Sequence, residues 1–160
     1  MIEKWKDTAF GSDFGGDFLE LVEQISKDDI LTLDLIYKNT DLKKYIDTPS
    51  LLEDRTDNNV MFTNSKYEQY IHFEDLIIGL SAIIIEGKSN GLVDLTKAYG
   101  TTTIQTEFKI EEVKPIYTAL QTIYNNPNTY VLFEMCLDEE RKETLKDIME
   151  MLTAFEKIVK

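Results

Sequence analysis

Carboxylates are the abundant reactive groups in this chain, with 30 acids against 17 bases, one histidine and one cysteine in 160 residues. Asp13, Asp17 and Glu20 recur at i, i+4 and i+7, a spacing that sets three carboxylates on one face of a helix, with Asp7 close in sequence. Hard cations bind oxygen sets of this kind. The sharp-turn loop pattern of an EF-hand is missing, however, and like charges at such spacings are ordinary on a solvated helix. Asp13 also has the simpler task of capping. A small carboxylate-based enzyme or regulatory protein, with a divalent metal, is therefore the alternative reading, and no metal or other cofactor is assigned.

Other constellations fail on residue type. The glycines of GSDFGGD lack the lysine and the following Ser/Thr of a phosphate-binding loop, and no strand precedes them. One cysteine and one histidine exclude the common zinc sets. A serine triad would need His72 with Ser81 in GLSAI, where Ile83 stands in place of the required glycine. His72, at the expected start of a helix, reads more simply as a cap or a partly exposed polar residue. Its acidic neighbours Glu74 and Asp75 are not at a productive spacing. Cys136 falls in the apolar run Tyr130–Leu137 and reads as a small buried hydrophobe. No catalytic residue is assigned, and the chain is read as a non-enzyme.

What remains is binding. The formal net charge is −13. A surplus of that sign opposes contact with nucleic acid or an anionic membrane, both of which need a basic footprint, and favours a cationic protein partner. Residues 1–80 carry 17 acids and 8 bases, residues 81–160 carry 13 and 9, so an acidic binding face belongs to the first half. The candidates are Asp13, Asp17, Glu20 and Glu23 on the first helix, and Glu53, Asp54 and Asp57 in a loop. Tyr67 and Tyr70 follow that loop as aromatic anchors. Plain solvation of an acidic surface explains any one of these residues as well.

The elements that must position these groups are mainly helical. At this length the chain reads as one domain, residues 1–160, with a core of its own and no disulfide to staple it. The N-terminus lacks the apolar core of a signal peptide. The longest apolar run, Leu76–Ile85, is too short to cross a bilayer, and the expected location is the cytoplasm. Ser12 or Asp13 should cap a first helix reaching about Lys27, with Phe14, Phe18, Leu21, Val22 and Ile25 on one face. Gly15 and Gly16 in its first turn each cost about 1 kcal/mol relative to alanine, which implies tight packing there, with Trp5 and Phe10 as the nearest bulky candidates.

A second helix is expected over Ile30–Asn39, a short turn of helix at Leu42–Ile46, and a loop over Leu51–Asn64. A central helix should follow over Ile71–Glu86, where Gly79, Ser81 and Ala82 allow close approach of neighbours. Lys88–Gly91 closes it, and Leu92–Ala98 forms a short helix. In the last third, Ile110–Tyr124 reads as a helix with Pro115 near its start, so that the helix proper should begin at about Lys114. A short one spans Asn128–Cys136, and a final amphipathic one, capped by Asp138, carries Leu145, Ile148, Met149, Leu152, Phe155 and Val159. Two β-prone stretches, Val60–Thr63 and Thr101–Phe108, are each other's obvious partners. The fold class is thus mainly α: a bundle of about six to eight helices with a minor two-stranded element.

The opening stretch resembles a family of small, uncharacterised bacterial proteins, a domain of unknown function. Their N-terminus runs Trp-Gly-Thr-Gly, then Phe, an Asn-Asp pair, a small residue and Asp-Phe. Trp5, Phe10, Asp13, Gly15, Asp17 and Phe18 fall at matching spacing; Ser12 stands where the asparagine would be, and Lys6-Asp7-Thr8 replaces Gly-Thr-Gly. The helix at Phe73–Gly87 is similar to the family's alanine-rich central helix, and Ala119–Leu152 to its C-terminal part. The resemblance implies a helical fold and a bacterial origin. Small acidic proteins of this class are often immunity proteins. The expected function is therefore binding and neutralising a cognate cationic toxin, with a nuclease as the candidate, through an acidic surface.

Overall fold

The computed structural model describes residues 1–28, 30–53, 58–63, 68–130, 133 and 137–160, with the main chain alone for Asp13, Glu53 and Asn90. Six α-helices are described: α1 (Asp13–Ile25), α2 (Leu33–Asn39), α3 (Leu42–Asp47), α4 (Phe73–Asn90), α5 (Ile110–Asn125) and α6 (Asp138–Val159). Four three-residue strands form two antiparallel pairs. β1 (Asn59–Met61) lies on β2 (Tyr70–His72) with Val60 opposite Ile71, and β3 (Leu92–Asp94) on β4 (Thr103–Gln105) with Val93 opposite Ile104.

The core is built around α4. Leu76, Ile77, Ile78, Leu80, Ala82, Ile83 and Ile84 are all buried in it, so this helix is apolar nearly all round, as a helix walled in on every side must be. α5 and α6 pack against each other and against α4, and α1 packs on α4 and β2. Val113, Ile116, Leu120 and Ile123 face inward from α5, and Ile148, Met151, Leu152 and Phe155 from α6. Phe10 and Phe18 reach Gly79, where an added Cβ would lie 3.2 Å from the Phe10 ring.

Ser12 is the N-cap of α1; its hydroxyl accepts from the Gly15 amide at 3.0 Å, and Asp13 is the first helical residue. What presses on Gly15 is main chain rather than the Trp5 side chain: a Cβ there would fall 1.9 Å from the Ala9 carbonyl oxygen. Gly16, by contrast, has only the Phe10 carbonyl oxygen at 3.9 Å. At the end of α4, Gly91 takes the left-handed conformation (φ 76°) that closes a helix.

Several boundaries differ from the sequence expectation, the first of them for reasons of pairing. α2 starts at Leu33 rather than Ile30, because Leu31 is drawn into a parallel bridge: its N–H donates to the Gln105 carbonyl at 2.8 Å and its carbonyl accepts from Glu107 at 2.9 Å. Thr32 then caps the helix by accepting from the Leu35 amide. The two β-prone stretches both supply strands but do not pair with each other. Tyr70–His72, whose last two residues are expected to start the central helix, partners β1, and Leu92–Asp94, expected to be helical, partners β4. A 3-10 turn over Leu95–Ala98 is what remains of the expected helix. α5 starts at Ile110 as expected and is already regular before Lys114, with Pro115 inside it; the proline lacks the amide that would bond the carbonyl of Glu111, an exposed residue. Leu137, not Asp138, occupies the N-cap of α6 and offers no side-chain cap; Asp138, Glu139 and Glu140 fill its first turn instead, where they suit the helix dipole. Of Asn128–Cys136, a 3-10 turn at Pro127–Thr129 is described; Cys136 lies outside the described residues.

Candidate partner-binding face

The sequence-predicted acidic helix and one of its predicted aromatic anchors meet. Tyr70 and His72 sit two apart on β2, with Ile71 buried between them, so strand alternation turns both toward the same side. α1 packs against that strand and lays Phe14 onto it. The Phe14 and Tyr70 rings stack at 4.8 Å and 26°, and His72 meets Phe14 edge-on at 5.6 Å. All three residues are half-buried, leaving an aromatic surface fixed from two elements. His72 is held in place by Asn59, whose Oδ1 lies 2.9 Å from Nδ1. It is therefore an oriented ring beside a stack, neither a helix-capping side chain nor paired to Glu74 or Asp75 in any contact described.

One turn along α1 from Phe14 comes Asp17, half-buried, followed by Glu20, exposed. Neither makes an ion pair among the described residues. Glu23 is different. Its carboxylate accepts from the Thr101 amide at 2.5 Å and from the Thr101 hydroxyl at 2.7 Å, tying α1 to the loop before β4. Glu20, Glu23, Lys27 and Thr101–Thr103 line a polar recess of about 510 Å³ between that helix and loop. Among the described side chains of α1, Asp17 and Glu20 are thus the carboxylates with no ion pair, while Glu23, still charged, is held in place by Thr101.

Of the remaining candidates, Asp13 begins α1 and Glu53 ends a 3-10 turn over Pro49–Glu53, each described by main chain alone. Asp54, Asp57 and Tyr67 lie outside the described residues. Two features escape a reading of the sequence, one on this face and one apart from it. Phe14 was assigned wholly to the buried face, and only the alternation in Tyr70-Ile71-His72 could have announced a strand waiting for it. Tyr99, 63% exposed and the only non-glycine residue described with positive φ (66°), donates its hydroxyl to Asp7, which holds the phenol above its usual value. That contact belongs to a turn whose position no sequence pattern gives away.

Among the described residues no group of three or more His, Cys, Asp or Glu side chains is placed to hold a metal ion. Ser81, the one serine in a suggestive setting, is fully buried with its hydroxyl unpartnered. No described helix is long and apolar enough to cross a membrane. Compared with known proteins, residues 1–154 match the family model described as Immunity protein 68. No curated protein and no solved structure matches the chain.

Proposed function

The chain belongs to the Immunity protein 68 family, and from that premise we propose that it protects a bacterial cell by binding and occluding a cognate toxin domain in the cytoplasm, without catalysis of its own. The observation that carries the reading is the Phe14–Tyr70–His72 cluster set at the edge of the acidic stripe of α1. Rigid aromatic rings with one open face are the usual energetic anchors of an interface, and the charge beside them sets orientation and speeds encounter. With a net charge of −13, the fitting partner is cationic. A nuclease toxin meets that requirement because it must present basic residues to a phosphate backbone.

The test is to titrate the purified chain with the toxin encoded beside its gene, and to co-express the two. A one-to-one complex, rescue of growth, and an association rate that falls as salt rises are expected. Failure to bind or to rescue would sink the immunity reading; binding with a salt-independent rate would remove the acidic face and the cationic partner from it.

A further inference from the structure

Apart from the α1 face, the structure holds a recess lined by no residue of α1 or β2. It has a volume of about 320 Å³ and lies between the N-terminal turn, α4 and α6, with Trp5, Asp75, Ile78, Glu140, Glu143 and Asp147 among its lining. That is the low end of the ~300–1,000 Å³ range of small-ligand pockets, room for a side chain rather than a cofactor. We propose that this recess receives one basic side chain, arginine or lysine, of the protein partner. The proposal rests on the immunity reading for who supplies that side chain.

Four carboxylates line the recess and no basic residue does. Lys4, on the N-terminal turn, is committed to Asp147 at 3.0 Å and to Glu150. Among the described residues Asp75, Glu140 and Glu143 make no ion pair. The carboxylates do not converge on a point as metal ligands would; they are distributed round a hollow, which suits an extended cation. A second observation is independent of charge. Trp5 is 3% exposed, forms part of the wall, and its Nε1–H has no acceptor. A buried donor without a partner calls for explanation; a small turn of the indole toward the recess would bring it to a main-chain carbonyl of a bound peptide. The indole and Ile78 provide an apolar lining for the methylene stem.

Burial, with Glu74 beside it on α4, pushes the Asp75 carboxyl up to about 7. The groups facing it from α6 are Glu140, Glu143 and Asp147, the last of them already shared with Lys4 of the N-terminal turn. A bound cation favours the ionised form, so binding expels a proton, and affinity should climb as pH rises from 6 to 8.

Trp5 is the only tryptophan, so its indole N–H gives a single resonance in the full-length chain. That resonance should move saturably with N-acetyl-arginine amide, and about tenfold more weakly with the neutral isostere N-acetyl-citrulline amide or in Asp75→Asn. The response to the arginine probe should strengthen with pH in the natural chain and stay flat in Asp75→Asn. An equal response to the citrulline probe, or none to either, overturns the inference. The two readings separate cleanly: toxin captured with the probe unbound leaves immunity standing and removes this recess, whereas probe bound with no toxin captured does the reverse.

Discussion

Asp75 and the ring pair Phe14–Tyr70 give the most direct tests at the level of single residues. For Asp75 the folded chain holds a carboxyl whose value has moved from 3.8 to about 7. Between those values the folded state binds a proton that the unfolded state has released, so stability falls as pH rises through that window and levels off above it. At 1.36 kcal/mol per tenfold change in proton affinity the ceiling is about 4 kcal/mol; Asp75 is half-buried, not sealed, so about 2 kcal/mol is expected. Urea unfolding of the natural chain and Asp75→Asn should coincide near pH 4, with the variant more stable by that amount at pH 8. Identical curves at pH 8 would show that the folded chain solvates this carboxylate well. For the rings, Tyr70→Ala should weaken toxin binding by about 2 kcal/mol, the scale of an interface anchor, and Phe14→Ala by a similar amount through loss of the stack. Asp17→Asn should chiefly slow association. Calorimetry and stopped-flow mixing read the two effects apart.

At the scale of elements, the start of α1 shows how two adjacent glycines do different work. Alanine is about 1 kcal/mol better than glycine inside a helix. At Gly16, where the nearest atom to a new Cβ is 3.9 Å away, Gly16→Ala should gain most of that. At Gly15 the Ala9 carbonyl stands 1.9 Å from the same position, so Gly15→Ala must push the incoming chain off the helix and should cost about 2 kcal/mol or more. Opposite shifts in the urea midpoint, at unchanged slope, are the expected result; a shift of the same sign for both would refute the packing account. The sequence announces this element well because its signals are local: a capping serine, a 3.6-residue apolar period and a run of small residues. The same holds for α4 and α6. Leu31 was misread because its main chain answers to Gln105 and Glu107, far away in sequence, and helical periodicity carries no trace of that bridge. The strand pairs were misassigned for the converse reason: β1 and β4 each found a nearer partner, at β2 and β3, hidden inside stretches with helical composition. For the proposed binding face, residue type pointed to Tyr70 and to the acids of α1. That Phe14 would join Tyr70, or that Glu23 would be taken up by Thr101, depended on contacts between elements.

Across the whole molecule the acid surplus acts in two directions at once. Thirteen excess negative charges repel one another when the chain is compact, and the ion pairs described are few and mostly exposed, where such pairs contribute little. Salt should therefore stabilise the free protein. Raising ionic strength from about 0.01 M to 1 M shortens the screening length from about 30 Å to about 3 Å. A gain near 1 kcal/mol would raise the melting temperature by about 2–4 °C in a chain of this size. The complex should respond oppositely, because the same screening removes the attraction that draws a cationic partner to the first half of the chain, where the charge is more negative. A single salt series, followed by thermal melting of the free chain and by the association rate with the toxin, separates these effects. Melting temperature up with rate down is the expected pair. A melting temperature that drops with salt would mean that the ion pairs outweigh the repulsion, and the acidic surface would then need a structural explanation before a functional one.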